Sequence, residues 1–487
     1  MRKNISLLCS FFLFSFFFIE AQVREEIAIA DDWKFSKSGL GTSQELGIYT
    51  TTFNAVHDYY SKKTFLRFEG MNFAGEFFLN GKSIGADKGL DTPFFIDISN
   101  QLSRGGNKLE LRTKLSASSI DDIILIRPSY LLITRPICFN PLNNKSEGPV
   151  SILKISKQDV DLNVGMSIDN GFTSDILVDI RIRLFDHNNN LAASLSNPLR
   201  LQSASSSAVE IKLNIPNPIL WQGQENPHLY RAEIEIWENE ELLDNLTQLI
   251  AMRSSTYDPT KGFLLNDKEY PLRLVDCAPL IKDGAYVFSR EQDDRDFYLA
   301  KSLGANALQS DGPHFSDYFL ALCEKEGIIC QPMSMAQGAE NNNYSDLANC
   351  DYAGFLFDTE NVSLDDIAQG RLDYGGLVSY DRTQPSDAYR YYQLKWTTEP
   401  FIHICDKDKR LRNTNKADIK IYANFKKIWL RVNGVELGSK SSKTGVYNWG
   451  SVPLSLGNNL IEIRSLKDAN KKPIYEDSCE WTYLDFD

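Results

Sequence analysis

The sequence has little positive charge. Its 52 Lys and Arg residues are outnumbered by 65 Asp and Glu residues, which gives a formal net charge of −13 and a pI near 5.1. No predicted helix or strand carries a stripe of basic side chains. Nucleic acids and anionic membrane surfaces are therefore excluded as main partners, because both bind proteins through a basic surface.

Histidine and cysteine are also scarce. The five His residues never cluster at the spacing of a zinc site, and no Cys-x-x-Cys pair occurs among the eight Cys residues. Seven cysteines follow the N-terminal region, and their odd number and scattered positions are not those of a disulfide framework. No glycine-rich phosphate loop follows a strand, so the sequence predicts neither a metal nor a cofactor.

Long apolar runs are confined to the N terminus. Arg2 and Lys3 precede the apolar run Ile5–Ile19, and Ala21 then supplies a small residue for cleavage. This pattern predicts a signal peptide over residues 1–21 and an exported, periplasmic or extracellular protein that has no membrane segment after cleavage. The alternative is an uncleaved membrane anchor, although the run is short of the ~20 apolar residues that a span needs.

Short alternating strands separated by turn residues fill most of the chain. They predict β-sandwiches over residues 22–152, 153–257 and 403–487. The first and last of these contain similar segments: Asn80-Gly81 and Asn433-Gly434 each lie between apolar strands, which predicts a type I′ hairpin. Asn107 and Asn458 follow at intervals of 27 and 25 residues, so we expect two copies of one sandwich type.

Residues 258–402 have a different pattern, in which strands alternate with helices. A helix is predicted over Arg290–Leu303, with a capping box from Ser289 to Gln292 and a terminating Gly304. Residues 271–396 provide only 126 positions, whereas a (β/α)8 barrel takes roughly 250. About four units fit, so we expect an open parallel sheet in which strands one, two, three and eight of a barrel are ordered 8-1-2-3.

One ordered set of positions runs through all four regions: Phe68, Glu69, Gly70, Asn80, Gly81, Lys82, Gly85, Pro93, Phe94, Asp97, Leu220, Trp221, Pro227, Tyr230, Gly262, Phe263, Asn266, Arg273, Gly304, Asn306, Gly327, Gly376, Asp381, Arg382, Tyr389 and Trp396. This set resembles glycoside hydrolase family 2, which contains β-galactosidases, β-glucuronidases and β-mannosidases. The resemblance implies a multidomain β plus α/β fold. Its expected order is a sugar-binding jelly-roll, an immunoglobulin-like sandwich, a partial (β/α) barrel and a C-terminal β-sandwich.

The departures from the family pattern concern catalysis. The family carries an Arg and a His where this chain has Gln309 and Asp311, and its acid/base is the Glu of an Asn-Glu pair that ends a barrel strand. The one Asn-Glu pair here, Asn239-Glu240, falls in a predicted turn of the second sandwich. The catalytic acid/base and nucleophile are therefore not found.

A retaining glycosidase needs two carboxyl groups about 5–5.5 Å apart at the ends of barrel strands. The weak candidates are Asp358 and Glu360, which follow the last barrel strand, and Glu340, which lies in a polar loop where a solvated carboxylate is the ordinary interpretation. Weak candidates for substrate binding are Asp311 and His314 after the second strand, together with Trp396.

Three hypotheses follow. The leading one is a catalytically impaired or inactive exported family member of carbohydrate metabolism that retains glycan binding. The second is an active retaining β-glycosidase with relocated carboxylates, or with a site that a partner chain or a second copy completes across the open barrel edge. The third is a structural or assembly subunit whose sheet edges bind protein.

Overall fold

The computed structural model of the chain describes residues 23–29, 33–38, 45–55, 62–71, 73–88, 93–115, 128–142, 148–156, 158–277, 280–282, 285–287, 289–310, 315–332, 349–357, 376–465 and 475–485. All element bounds below belong to these residues. None of the helices in these segments has both the length and the apolar character that a membrane span requires.

The first region is a sandwich of two antiparallel sheets. Its strands are β1 (Glu25–Ala28), β2 (Lys34–Ser38), β3 (Glu45–Ala55), β4 (Lys63–Phe68), β5 (Gly75–Leu79), β6 (Lys82–Asp87), β7 (Phe94–Asp97), β8 (Gly105–Leu115) and β9 (Ser129–Thr134). One sheet has the order β1-β9-β4-β7 and the other β2-β3-β8-β5-β6. Phe68 and Phe77 come from opposite sheets, and their ring centroids lie 4.7 Å apart in the shared core.

A second sandwich follows. Its strands are β10 (Ile137–Phe139), β11 (Val150–Ile155), β12 (Asp159–Asn170), β13 (Ile176–Phe185), β14 (Leu191–Leu201), β15 (Ser205–Pro216), β16 (Tyr230–Glu238) and β17 (Glu241–Ile250). In one sheet β12 pairs with β10, β11 and β15, and the other has the order β14-β13-β16-β17. Both β10 and β11 begin before residue 153, where the sequence predicts the boundary, because their hydrogen-bonding partner is β12.

The third region contains a parallel sheet with helices. Its elements are β18 (Ser255–Asp258), β19 (Gly262–Leu265), β20 (Lys268–Glu269), β21 (Leu272–Asp276), β22 (Leu280–Lys282), β23 (Ala285–Val287), α1 (Arg290–Leu303), β24 (Ala307–Ser310), α2 (Asp317–Glu326), β25 (Ile329–Pro332), β26 (Cys350–Phe357), β27 (Gly376–Val378) and α3 (Asp387–Trp396). Strands β18, β19 and β20 form a small antiparallel sheet, and β22 pairs with β23.

Five strands of this region are parallel and have the order β25-β24-β21-β26-β27. The predicted sequence of neighbours is present as β26-β21-β24-β25, and β27 adds a fifth strand beside β26. Among the described residues, β25 and β27 each have a strand partner on one side only. Whether this sheet is the remainder of a barrel stays a prediction.

The helix ends follow the predicted cap residues in part. The backbone N–H of Gln292 donates to Ser289 Oγ at 3.1 Å, but the Gln292 side chain donates to Asp296 instead of completing a capping box. Gly304 ends α1 at φ 93°, and a Cβ there would lie 2.9 Å from Trp396. Glycine is therefore required both for the left-handed conformation and for the close approach of α3.

The last region is another sandwich. Its strands are β28 (Ile402–Ile404), β29 (Leu411–Arg412), β30 (Lys416–Ala423), β31 (Lys427–Val432), β32 (Val435–Ser441), β33 (Val446–Pro453), β34 (Gly457–Ser465) and β35 (Glu476–Tyr483). One sheet has the order β28-β30-β33 and the other β29-β35-β34-β31-β32. Their inward side chains form one core that includes Leu430, Tyr447 and Trp481.

Candidate active site

The carboxyl ends of the parallel strands are where a βα fold places its ligand site. The final residues of the five strands are Asp276, Ser310, Pro332, Phe357 and Val378. Among these final residues Asp276 alone is acidic.

The two faces of the sheet have different surroundings. Side chains alternate along β21, so Leu272 and Leu274 pack with Trp221 and Phe263, whereas Val275 packs with the helices. Asp276 is on the same face of the sheet as Leu272 and Leu274. It lies at the carboxyl end of β21, whereas the apolar layer formed with Trp221 and Phe263 covers the residues before it. A polar side chain is thus held on the helix-free face, at the carboxyl edge of the sheet.

Asp276 is buried and has polar neighbours on both adjacent strands. Its Oδ2 accepts a hydrogen bond from the Tyr352 hydroxyl on β26. Gln309 of β24 is its register partner on the other side, and it is also buried. The Gln309 Oε1 atom accepts no hydrogen bond from any described residue. One carboxyl group, one phenol and one amide therefore lie across three neighbouring strands.

A buried ion pair lies on the helix side of the same edge. Arg382 Nε is 3.5 Å from Asp296 Oδ1, and the guanidinium carbon lies 4.1 Å from the centre of the Phe357 ring. Burial raises the pKa of Asp296 to about 6 and lowers the pKa of Arg382. This pair joins α1 to the turn after β27, on the face opposite to Asp276, which suits a structural role.

The structure places one of the predicted site residues. Trp396 is buried in α3, and its indole Nε1 donates to Asp351 Oδ2 at 2.6 Å. Asp351 is at the start of β26, so Trp396 lies at the amino edge of the sheet, opposite to Asp276. This position suits packing rather than substrate binding. The other predicted site residues, Asp311, His314, Glu340, Asp358 and Glu360, lie outside the described residues.

Sequence reasoning missed Asp276 and Tyr352. The available signal was a carboxylate at the end of the apolar run Leu272–Val275. The Asn239-Glu240 pair lies in the turn between β16 and β17, with Asn239 at φ 54°. It is far in topology from any parallel strand, which agrees with the predicted turn.

Comparisons with known proteins agree with this architecture. Residues 150–253 match the profile described as Glycosyl hydrolases family 2. A β-glucuronidase of Bacteroides fragilis is 25% identical over 295 residues, which is 58% of this chain and 42% of that enzyme. A β-galactosidase of Thermoanaerobacter pseudethanolicus is 23% identical over 298 residues, covering 58% of this chain and 38% of the enzyme. The matched segment is thus less than half of these relatives.

Solved structures share the fold over most of the chain. A Bacteroides uniformis β-glucuronidase, solved with a covalently bound cyclophellitol-6-carboxylate aziridine, superposes with a TM-score of 0.76 at 17% identity, covering 95% of this chain and 81% of that one. A protein described as a putative β-galactosidase from Bacteroides fragilis gives a TM-score of 0.74 at 16% identity, covering 95% and 98%. At these identities the likeness shows the fold.

Proposed function

Because the chain belongs to glycoside hydrolase family 2, we propose that it is an exported member that binds a β-glycoside and has lost the paired catalytic carboxylates. The proposed ligand is a saccharide because the curated relatives are named as β-glucuronidases and β-galactosidases. Export rests on the predicted signal peptide over residues 1–21.

The observation that carries the proposal is that Asp276 is the single acid among the final residues of the five described parallel strands. Glycoside hydrolysis with retention of the anomeric configuration requires one carboxylate as nucleophile and another carboxyl group as acid, about 5–5.5 Å apart. Asp276 supplies one carboxyl, and the Tyr352 hydroxyl already donates to one of its oxygens. The amide of Gln309, on the next strand, cannot replace an acid/base because it does not ionise.

The proposed cause is a shortened barrel. Five parallel strands and three helices are described between Leu272 and Trp396, whereas a complete barrel has eight of each. We infer that the parallel sheet is what remains of the barrel, and that the sandwiches around it keep the family's order. The strands that would carry the family's catalytic pair are the ones proposed to be missing.

Saccharide binding at the carboxyl edge of the sheet requires fewer functional groups than hydrolysis does. Sugar hydroxyls both donate and accept hydrogen bonds, and a pocket needs a few convergent polar groups to orient them. Gln309 Oε1 has no donor among the described residues, so a ligand hydroxyl or a bound water is a fitting partner for this buried acceptor.

The test is an assay of the purified mature protein with aryl β-glucuronide, β-galactoside and β-mannoside. We expect no turnover above buffer, together with measurable heat of binding for an oligosaccharide of one of these sugars. A Gln309→Leu variant should weaken that binding, while Trp449→Phe, a change in the core of the last sandwich, serves as the matched control. Turnover that disappears in Asp276→Asn, Asp358→Asn or Glu360→Gln would overturn the proposal.

A second candidate is a site completed by a partner chain. It is favoured by β25, which has one strand partner among the described residues, whereas the outer edge of β27 is bridged by Pro385 of the following segment. Edge strands expose backbone N–H and C=O groups that another chain can pair with. In this case light scattering should detect a stable oligomer, and specific activity should rise with protein concentration. A monomer with no activity at any concentration contradicts it.

A further inference from the structure

A group of three side chains suited to metal binding lies where α3 meets the last sandwich. The carboxylate of Asp387, the imidazole of His403 and the thiol of Cys405 have ligand atoms within 4.8 Å of one another. Within the described part of the chain this is the one such group of three or more.

The fold explains why these residues meet although the sequence spacing does not suggest it. His403 is in β28, and Cys405 follows two positions later, so both side chains emerge on the same side of the strand. Asp387 is the first residue of α3 and approaches from the parallel-sheet region. A search for closely spaced ligands misses the group because Asp387 precedes His403 by 16 positions.

The contacts of Asp387 hold its carboxylate in position. Its Oδ1 lies 2.7 Å from His403 Nε2, and its Oδ2 accepts the backbone N–H of Asp406 at 2.8 Å. The carboxylate is thus fixed by a neighbouring backbone group, as metal-binding carboxylates commonly are.

The nearby cations have other partners. Lys409 Nζ is 2.8 Å from Asp406 Oδ1, and Lys420 Nζ is 4.9 Å from the centre of the Tyr422 ring. Cys405 is buried, whereas the Asp387 side chain is 40% exposed, so one side of the group is open to water.

We propose that Asp387, His403 and Cys405 bind a zinc ion, with water as the fourth ligand. Zinc favours tetrahedral sites built from thiolate, imidazole and carboxylate, and a soft thiolate selects against magnesium and calcium. A thiolate and a carboxylate together neutralise the charge of the dication. The ion replaces the hydrogen bond between His403 and Asp387 and joins α3 to the last sandwich. This proposal is independent of glycoside binding.

The first test is a cobalt titration of untagged, metal-depleted protein. Co²⁺ replaces zinc in tetrahedral sites, and its bond to a thiolate produces a charge-transfer absorption. We expect this band in the native protein and its bleaching on addition of Zn²⁺. Cys405→Ser should lack the band, and its zinc affinity should fall at least about 10-fold. Cys479→Ser, which changes another cysteine of the same sandwich, should keep both.

A second variant keeps the test decisive if Cys405→Ser folds poorly. His403→Gln retains a polar group of similar size, and it should keep the native circular dichroism spectrum while losing zinc affinity by a similar factor. At the same concentration, zinc should raise the thermal midpoint of the native protein by more than that of either variant. A native protein without the band, or a Cys405→Ser protein that folds and retains it, overturns the proposal.

Discussion

The first and last sandwiches contain the same hydrogen-bonded turn, and in both it is formed by an Asn-Gly pair. Asn80 in one and Asn433 in the other have φ of 52° and 50°, and each begins the turn of a hairpin. The Asn80 side chain donates to Asn107 Oδ1 at 2.8 Å, and Asn433 donates to Asn459 Oδ1 at the same distance. In both sandwiches the second Asn is buried, and its amide donates to two backbone carbonyls of the preceding loop.

The two sandwiches differ in where the next strand comes from. In the first, β8 lies between β5 of the hairpin and β3, which precedes the hairpin in the chain. In the last, β34 lies between β31 and β35, which follows it. The unit that both sandwiches share is therefore the hairpin together with the strand that pairs with it, β8 or β34, and two asparagines join the hairpin to that strand. The neighbouring strand can be supplied from either side, so a local sequence similarity does not determine the whole topology.

The strongest test of this comparison is the removal of the second, buried Asn. Asn107→Ala and Asn459→Ala each delete a side chain that accepts from one backbone N–H and donates to two carbonyls. Leaving such buried groups unsatisfied should lower the free energy of unfolding of that sandwich by about 3 to 4 kcal/mol. Hydrogen exchange read by mass spectrometry should show lost protection in the altered sandwich only.

The matched control is Asn458→Ala, one position away on the same strand. Asn458 is exposed and accepts from Thr482 Oγ1, so its replacement should change the stability by no more than about 0.5 kcal/mol. If Asn458→Ala destabilises the last sandwich as much as Asn459→Ala does, the two asparagine networks are not equivalent.

The parallel-sheet region should differ from the first and last sandwiches in how its stability depends on pH. Burial raises the pKa of Asp296 to about 6 from an ordinary value of 3.8, so the folded state binds more protons between these values. The contribution of Asp296 to the stability of this region is therefore greatest below pH 3.8. This contribution should fall by up to about 3 kcal/mol as the pH rises through 6. Exchange in α1 measured from pH 4 to 7 checks this.

Asp296→Asn separates this titration from other groups. The variant leaves Arg382 buried without its carboxylate, so it should be less stable at neutral pH, but its stability should vary less with pH over the same range. Protection in both sandwiches should be unchanged. An unaltered pH dependence in the variant would show that a different group titrates.

Local patterns predicted much of this fold because they act over a few residues. The turn at Asn80-Gly81 and the end of α1 at Gly304 both depend on a positive φ, which the residue types Asn and Gly indicate directly. The equivalent of Asn107 was assigned wrongly, as Asn458 at an interval of 25, whereas the structure uses Asn459 at 26. A shift of one residue exchanges the two faces of a strand, and the flanking asparagines give no local signal to distinguish them.

The candidate site was less predictable because its residues meet only through strand pairing. Asp276 and Tyr352 are 76 positions apart and are brought together because β21 and β26 are neighbours. Trp396 has the residue type of a sugar platform, but the packing of α3 against Gly304 sets its position at the opposite edge. A residue type indicates which chemical role a side chain could have, but the pairing of distant strands determines which side chains lie in one site.

The smallest expected effect concerns the glycines of the two hairpins. Gly81 and Gly434 have φ of 82° and 80°, and a Cβ on either would have no heavy atom within 4 Å. Substitution by Ala therefore adds only the cost of the left-handed backbone, about 1 kcal/mol in each sandwich.

Gly106→Ala is the control for these two changes, because its φ is not in the left-handed region and its nearest contact is Asn54 Oδ1 at 3.8 Å. Urea unfolding monitored by hydrogen exchange should give equal losses for Gly81→Ala and Gly434→Ala and almost none for the control. Unequal losses would mean that the shared turn carries different strain in its two settings, because neither site differs in contacts.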